Sequence, residues 1–107
     1  MGEEDSTFDV EAHVSADSTV LTLRGELDIF SAPVLDACVR DLRPMRAPLT
    51  LDVAELAFID SSGLRALTAA RRAAVEDVGG AVTLRNARKP LLKLLDMTGL
   101  AGAFEVG

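Results

Sequence analysis

Residues 49–64, LTLDVAELAFIDSSGL, change rhythm partway along, and that change decides the fold. Leu49, Leu51 and Val53 alternate with Thr50 and Asp52, the period of two that marks a strand with one buried face. Asp60-Ser61-Ser62-Gly63 then supplies N-cap chemistry, and Leu64, Leu67, Ala74, Val75 and Val78 follow as the inner side of a helix. Gly79-Gly80 ends that helix. A strand that runs into a helix is half of a strand–helix–strand unit, and such units build parallel sheets through right-handed crossovers.

The same switching of periods extends outward. Upstream, Phe8, Val10, Ala12, Val14 and Ala16 alternate with polar residues, Asp17-Ser18 offers a turn, and Leu21, Leu23, Gly25 and Leu27 begin a second alternation. These two runs predict an antiparallel hairpin. Ser31 as N-cap and Pro33 in the first turn open a helix with Val34, Leu35, Cys38, Val39 and Leu42 inside, and Asp36 and Arg40 four apart on its wet face. Pro44 and Pro48 punctuate the loop that follows. Downstream, Ala81 to Arg85 reads as a short strand, Pro90 starts a third helix with Leu91, Leu94 and Leu95, and Ala103 to Val106 reads as a last edge strand.

The order is β-β-α-β-α-β-α-β, an α/β single domain over residues 8–107 with a mixed sheet of four or five strands. Arg24, Thr50, Asp52 and Thr83 fall on the opposite face from the apolar residues, so all helices are expected on one face of the sheet. Val34, Leu35, Cys38, Leu51, Leu64, Leu67 and Leu94 are the expected core. Residues 1–7 are polar and read as a flexible acidic tail.

Composition narrows the function. A net charge of −6 repels phosphate backbones and anionic bilayers, so neither nucleic acid nor membrane is an expected partner. A single cysteine excludes an internal disulfide and a Cys-rich metal site, which fits a reducing, cytoplasmic home. The acidic start lacks the form of a signal peptide, and no apolar run is long enough to span a bilayer. An enzyme is not expected. His13, the lone histidine, lies on the polar side of its strand, there is no phosphate-binding loop, and no carboxylates have ligand spacing, so neither metal nor cofactor is called for. Four Phe with no Trp or Tyr leave no obvious aromatic anchor for an interface.

Topology points to one edge. In open α/β sheets the working loops follow the carboxyl ends of the parallel strands, here Asp28 after one strand and Asp60-Ser61 after the next. If those strands are neighbours, Ser61 presents a hydroxyl at a positive helix end, beside Asp28. By spacing alone, a well-capped helix with no further role is the simpler reading of Asp60-Ser61-Ser62-Gly63. Beyond it, Arg65, Ala69, Arg72 and Glu76 share one outer stripe of the helix, a candidate extension of a partner surface or plain solvated surface.

At these residues the chain resembles the STAS family, and within it the bacterial anti-anti-sigma factors (anti-sigma factor antagonists). Four blocks carry the resemblance: Leu23-Arg24-Gly25-Glu26-Leu27-Asp28, Leu51-Asp52 through Phe58-Ile59-Asp60-Ser61-Ser62-Gly63-Leu64, Val78-Gly79-Gly80, and Leu94-Leu95-Asp96-Met97-Thr98-Gly99-Leu100. The resemblance implies a STAS-like fold and a partner switch. The unphosphorylated protein binds an anti-sigma factor that is also a serine kinase, and so releases a sigma factor. Phosphorylation of the first serine of the motif ends binding, and a serine phosphatase reverses it. Carried over, Ser61 is the acceptor, framed by Asp28, Asp60, Ser62 and Gly63, and the kinase brings its own magnesium. The chain departs from the pattern at Arg65, where some members have glycine, and at Thr98, which replaces a frequent serine. Other STAS roles, as a stress-complex scaffold or a lipid-transport accessory subunit, and nucleotide binding are the alternatives. A monomer or weak dimer is expected.

Overall fold

A computed structural model describes residues 8–107, so the expected tail, residues 1–7, lies outside the described residues. The elements follow the expected order: β1 (Phe8–Val14), β2 (Thr19–Leu27), α1 (Ala32–Leu42), β3 (Leu49–Ile59), α2 (Ser61–Asp77), β4 (Thr83–Arg85), α3 (Lys89–Met97) and β5 (Glu105–Val106). The strands lie side by side in chain order, β1 antiparallel to β2 and every later pair parallel. β1 stops at Val14, short of Ala16, because the turn around Ser15–Ser18 closes there through the Ser15 hydroxyl and the Ser18 carbonyl.

Strand pairing sorts the side chains. Leu21, Leu51 and Leu84 stand in one row across β2, β3 and β4, and all are fully buried. The next row, Thr22, Asp52 and Arg85, faces away from them and is partly or fully exposed. On that polar face Arg24 pairs with Asp9 at 2.9 Å and Glu11 at 3.0 Å, and Arg85 with Asp52 at 3.3 Å. All three helices bury their inner residues in the same cluster as the leucine row, so they share one face of the sheet.

The inner face of α2 is built mostly of alanine: Ala66, Ala70, Ala73 and Ala74 are buried with Leu64 and Leu67. Val75 and Val78, expected inside, are partly exposed, because small residues occupy the stripe that approaches its neighbours. On α1 the buried residues are Ala32, Leu35 and Val39, with Cys38 half-buried beside them. Val34, one position off that stripe, is 47% exposed and leaves the core list. Leu94 packs against the core without being fully buried.

β3 has an irregularity that decides where its far end lies. Between Thr22/Asp52 and Arg24/Glu55 it advances three residues against two on β2, and between Gly25/Leu56 and Glu26/Phe58 two against one. Two β-bulges thus absorb the two extra residues of β3. Gly25, at φ +95°, takes the backbone conformation that a side chain would strain. The bulges bring Ile59 level with Leu27, and the Asp60 amide donates to the Leu27 carbonyl at 3.3 Å. Gly63 packs on the same carbonyl: a Cβ there would lie 2.3 Å from Leu27 O and 2.8 Å from Ile59 Cγ1.

The opposite end is held by charge. Arg43 donates to both Asp77 carboxylate oxygens, at 3.1 and 2.9 Å, and to Glu76 at 2.9 Å, and the Met45 amide donates to Asp77 at 2.8 Å. This clamps the chain entering β3 onto the last turn of α2. The Arg43 guanidinium, and then the Met45 amide, hold the Asp77 carboxyl below the usual carboxylate range.

Gly63→Ala, with no room against backbone, should cost about 1–3 kcal/mol in a denaturant melt. A depressed folded-state pKa at Asp77 contributes stability that is present above the ordinary carboxylate pKa and is lost as pH falls through the folded value. Asp77→Asn should therefore lower the melting temperature at neutral pH and reduce the loss of stability on acidification below about pH 4, as thermal melts across pH measure.

Candidate functional site

Asp60 is the N-cap of α2. It has extended backbone, and its carboxylate accepts the Gly63 amide at 3.0 Å while its carbonyl accepts the Leu64 amide at 2.9 Å. Capping therefore belongs to Asp60. The two serines that follow stand in the first turn, Ser61 exposed and Ser62 half-buried. Ser61 thus offers a free-standing hydroxyl at the positive end of a 17-residue helix.

Asp28 lies just beyond the Leu27 carbonyl that α2 rests on, so the two loops share one rim. Its carboxylate accepts the amides of Phe30 and Ser31, each at 3.0 Å, and its carbonyl accepts the Ala32 amide at 2.8 Å. These bonds, the Ser31 amide foremost, hold the Asp28 carboxyl below its ordinary range. Ser31 occupies the N-cap position of α1, but its hydroxyl does not cap the helix. It accepts the Asp28 amide at 2.9 Å and donates to the Glu26 carbonyl at 2.7 Å. Asp28 is accordingly the knot of the β2–α1 turn as well as a rim residue.

That turn pushes two apolar side chains into solvent. Ile29 and Phe30 are both exposed, Phe30 to 87%, and Phe58 stands 51% exposed just before the Asp60 cap. Ile29 and Phe30 are large apolar residues between Asp28 and Ser31, where turn chemistry favours polar ones, and they offer an apolar contact surface that a count of aromatic residues does not show.

Arg65, Ala69 and Arg72 do share one surface. With Ser61, Leu64, Thr68, Thr98 and Leu100 they line an open groove of about 450 Å³ beside the phosphoacceptor candidate. Arg65 Nη2 pairs with Asp36 at 2.8 Å, linking α2 to α1. Glu76, the last residue of the expected stripe, belongs instead to the Arg43 clamp.

The remaining candidates for chemistry are dispersed. His13 is exposed and lies 3.1 Å from Glu11 on the polar face. The Cys38 thiol is pushed up by burial, away from the reactive thiolate form. Among the described residues no group of three or more His, Cys, Asp or Glu is placed to hold a metal, and no helix is long and apolar enough to cross a membrane.

The family model described as Mlab, STAS domain, matches residues 11–106. The chain is similar to the anti-sigma-B factor antagonist of Bacillus subtilis (strain 168), 28% identical over 99 residues that cover 92% of this chain and 90% of that one. Among solved structures it resembles the Bacillus cell fate determinant SpoIIAA in the phosphorylated form, with a TM-score of 0.69 at 24% identity over 94% of this chain and 90% of the other. An anti-sigma factor antagonist from Mycobacterium paratuberculosis gives a TM-score of 0.69 at 25% identity, over 92% and 84%. The match across nearly all described residues places this chain in the STAS domain family.

Proposed function

We propose that the protein is an anti-sigma factor antagonist, a non-enzymatic, cytoplasmic binding protein that engages an anti-sigma factor with serine kinase activity and is switched off by phosphorylation of Ser61. The observation that carries this reading is the division of roles at the start of α2. Asp60 carries the cap, which leaves the Ser61 hydroxyl exposed at the head of a groove that contains Arg65 and Arg72. The similarity to antagonists of anti-sigma factors supports the same role.

The physics of the switch is local. A phosphate on Ser61 adds about −1.5 to −2 charge at a helix N-terminus, which tolerates it in the free protein. Arg65, four residues on, sits at the spacing at which side chains on one helix face meet. In an interface the same dianion loses its water, and without a matching cation across the boundary that loss opposes binding strongly. Release then needs no refolding, and a serine phosphatase restores the binding form.

Reaction with the cognate kinase should place one phosphate on Ser61, as mass spectrometry reads directly. Ser61→Ala should bind the anti-sigma factor constitutively, and Ser61→Glu at least about tenfold more weakly, measured by calorimetry. Phosphate found only on Ser62, or full labelling of Ser61→Ala, overturns the assignment. Arg72→Glu should slow association and weaken binding about tenfold, with a changed salt dependence, because it reverses a charge in the groove. Unchanged affinity would confine the interface to the Asp28–Ser61 rim.

A further inference from the structure

A second groove, outside the Ser61 surface, lies between the far half of β3 and α3. β4 pairs with β3 only from Thr50 to Asp52, so Val53–Ile59 has no strand on that side, and α3 stands across the gap. The space between them measures about 470 Å³, within the range of small-molecule sites. Its walls are mostly apolar, with Leu56 and Phe58 on the strand side and Leu91, Leu94 and Met97 on the helix side. Phe58 and Met97, the latter 72% exposed, leave apolar surface in water.

Two cations interrupt the apolar lining on the α3 side. Arg88, the N-cap, and Lys93 line the groove, and neither forms an ion pair among the described residues. No side chain caps α3. Residues 85–97 hold four cations against Asp96 alone, in a chain whose net charge is −6. Leu94 follows Lys93 directly, and Met97 is the last residue of α3. With the cations of Arg88 and Lys93 set among mostly apolar walls, the groove is complementary to an amphiphile with an anionic head.

We infer that the groove between β3 and α3 binds a single-chain fatty carboxylate, its head toward Arg88 and Lys93 and its chain along Leu56, Phe58, Leu94 and Met97. A carboxylate gains charge-assisted hydrogen bonds from the two cations, and its chain covers the exposed apolar walls. An added peptide strand is a poorer occupant, because the two bulges break the regular ladder along β3 that such a strand needs. Ser61 is not among the residues that line this groove.

Titration of the isotopically labelled full chain with monomeric decanoate, below its micelle concentration, tests this by amide chemical shifts. Saturable shifts concentrated in residues 53–59 and 88–97 are expected, with affinity at least about tenfold above that for decyltrimethylammonium, which carries the same chain and the opposite charge. Arg88→Glu combined with Lys93→Glu, both exposed changes checked by an unaltered melting temperature, should lose about tenfold in decanoate affinity. Equal affinity for the two head groups, shifts centred elsewhere, or no saturable binding overturns the inference. So does binding confined to anionic phospholipid vesicles, which would identify a membrane surface as the occupant instead. The head-group comparison on the unaltered chain stands whether or not the double variant folds.

Discussion

The carbonyl of Leu27 is where the sheet and the second helix are fastened together, and the site depends on that contact. The Asp60 amide donates to it, and Gly63 packs on it more closely than any residue with a Cβ can. Such an approach requires the end of β3 to arrive level with the end of β2, which the two bulges of β3 achieve by absorbing two residues. Bulge, glycine and cap are thus one device spread over Gly25, Ala54, Ala57, Asp60 and Gly63. It sets Ser61 beside the Asp28 turn with almost no freedom of position.

Much of this architecture was legible because local and tertiary signals agree. Leu49-Thr50-Leu51-Asp52-Val53 alternates in sequence and keeps its alternation in the sheet, so the buried row and the polar face follow directly. Asp60 and Gly79 mark helix ends by chemistry that needs no distant partner. What was hidden depends on contacts across the chain. Strict alternation from Leu49 places Leu56 on the polar face, and only the partner strand reveals the first shift, which turns Leu56 back toward the core. Val75 and Val78 looked internal because they are large, whereas close packing of α2 selects alanine. Ser31 has the composition of a cap, yet the Asp28 turn claims its hydroxyl.

Net charge describes the chain as a whole and not its grooves, for a similar reason. Several carboxylates that make the chain acidic are engaged by the fold itself: Asp28 in its turn, Asp60 at its cap, Asp52 with Arg85 and Asn86, Asp77 with Arg43. Arg72, Arg88 and Lys93 have no such ion-pair partners among the described residues and line the two grooves. The chain therefore combines an acidic average with cationic grooves, and a ligand approaching either groove meets the local charge, since screening limits the reach of distant groups to about 8–10 Å at ordinary salt.

Under the proposed function, the separation of capping from modification would let the rim change charge without losing its shape. Had the exposed serine also capped α2, a phosphate would have to displace the bond that holds the helix start, and the bulged strand end with it. Asp60 keeps that bond, so Ser61 is free to change charge while the Gly63–Leu27 contact remains closed. The same reasoning sets Ser62 apart. Half-buried in the first turn, it lies nearer the packed side of the helix, where an added dianion must be desolvated. Adjacent residues of similar chemistry thus stand in different surroundings, Ser61 in solvent and Ser62 against the packed side of the helix.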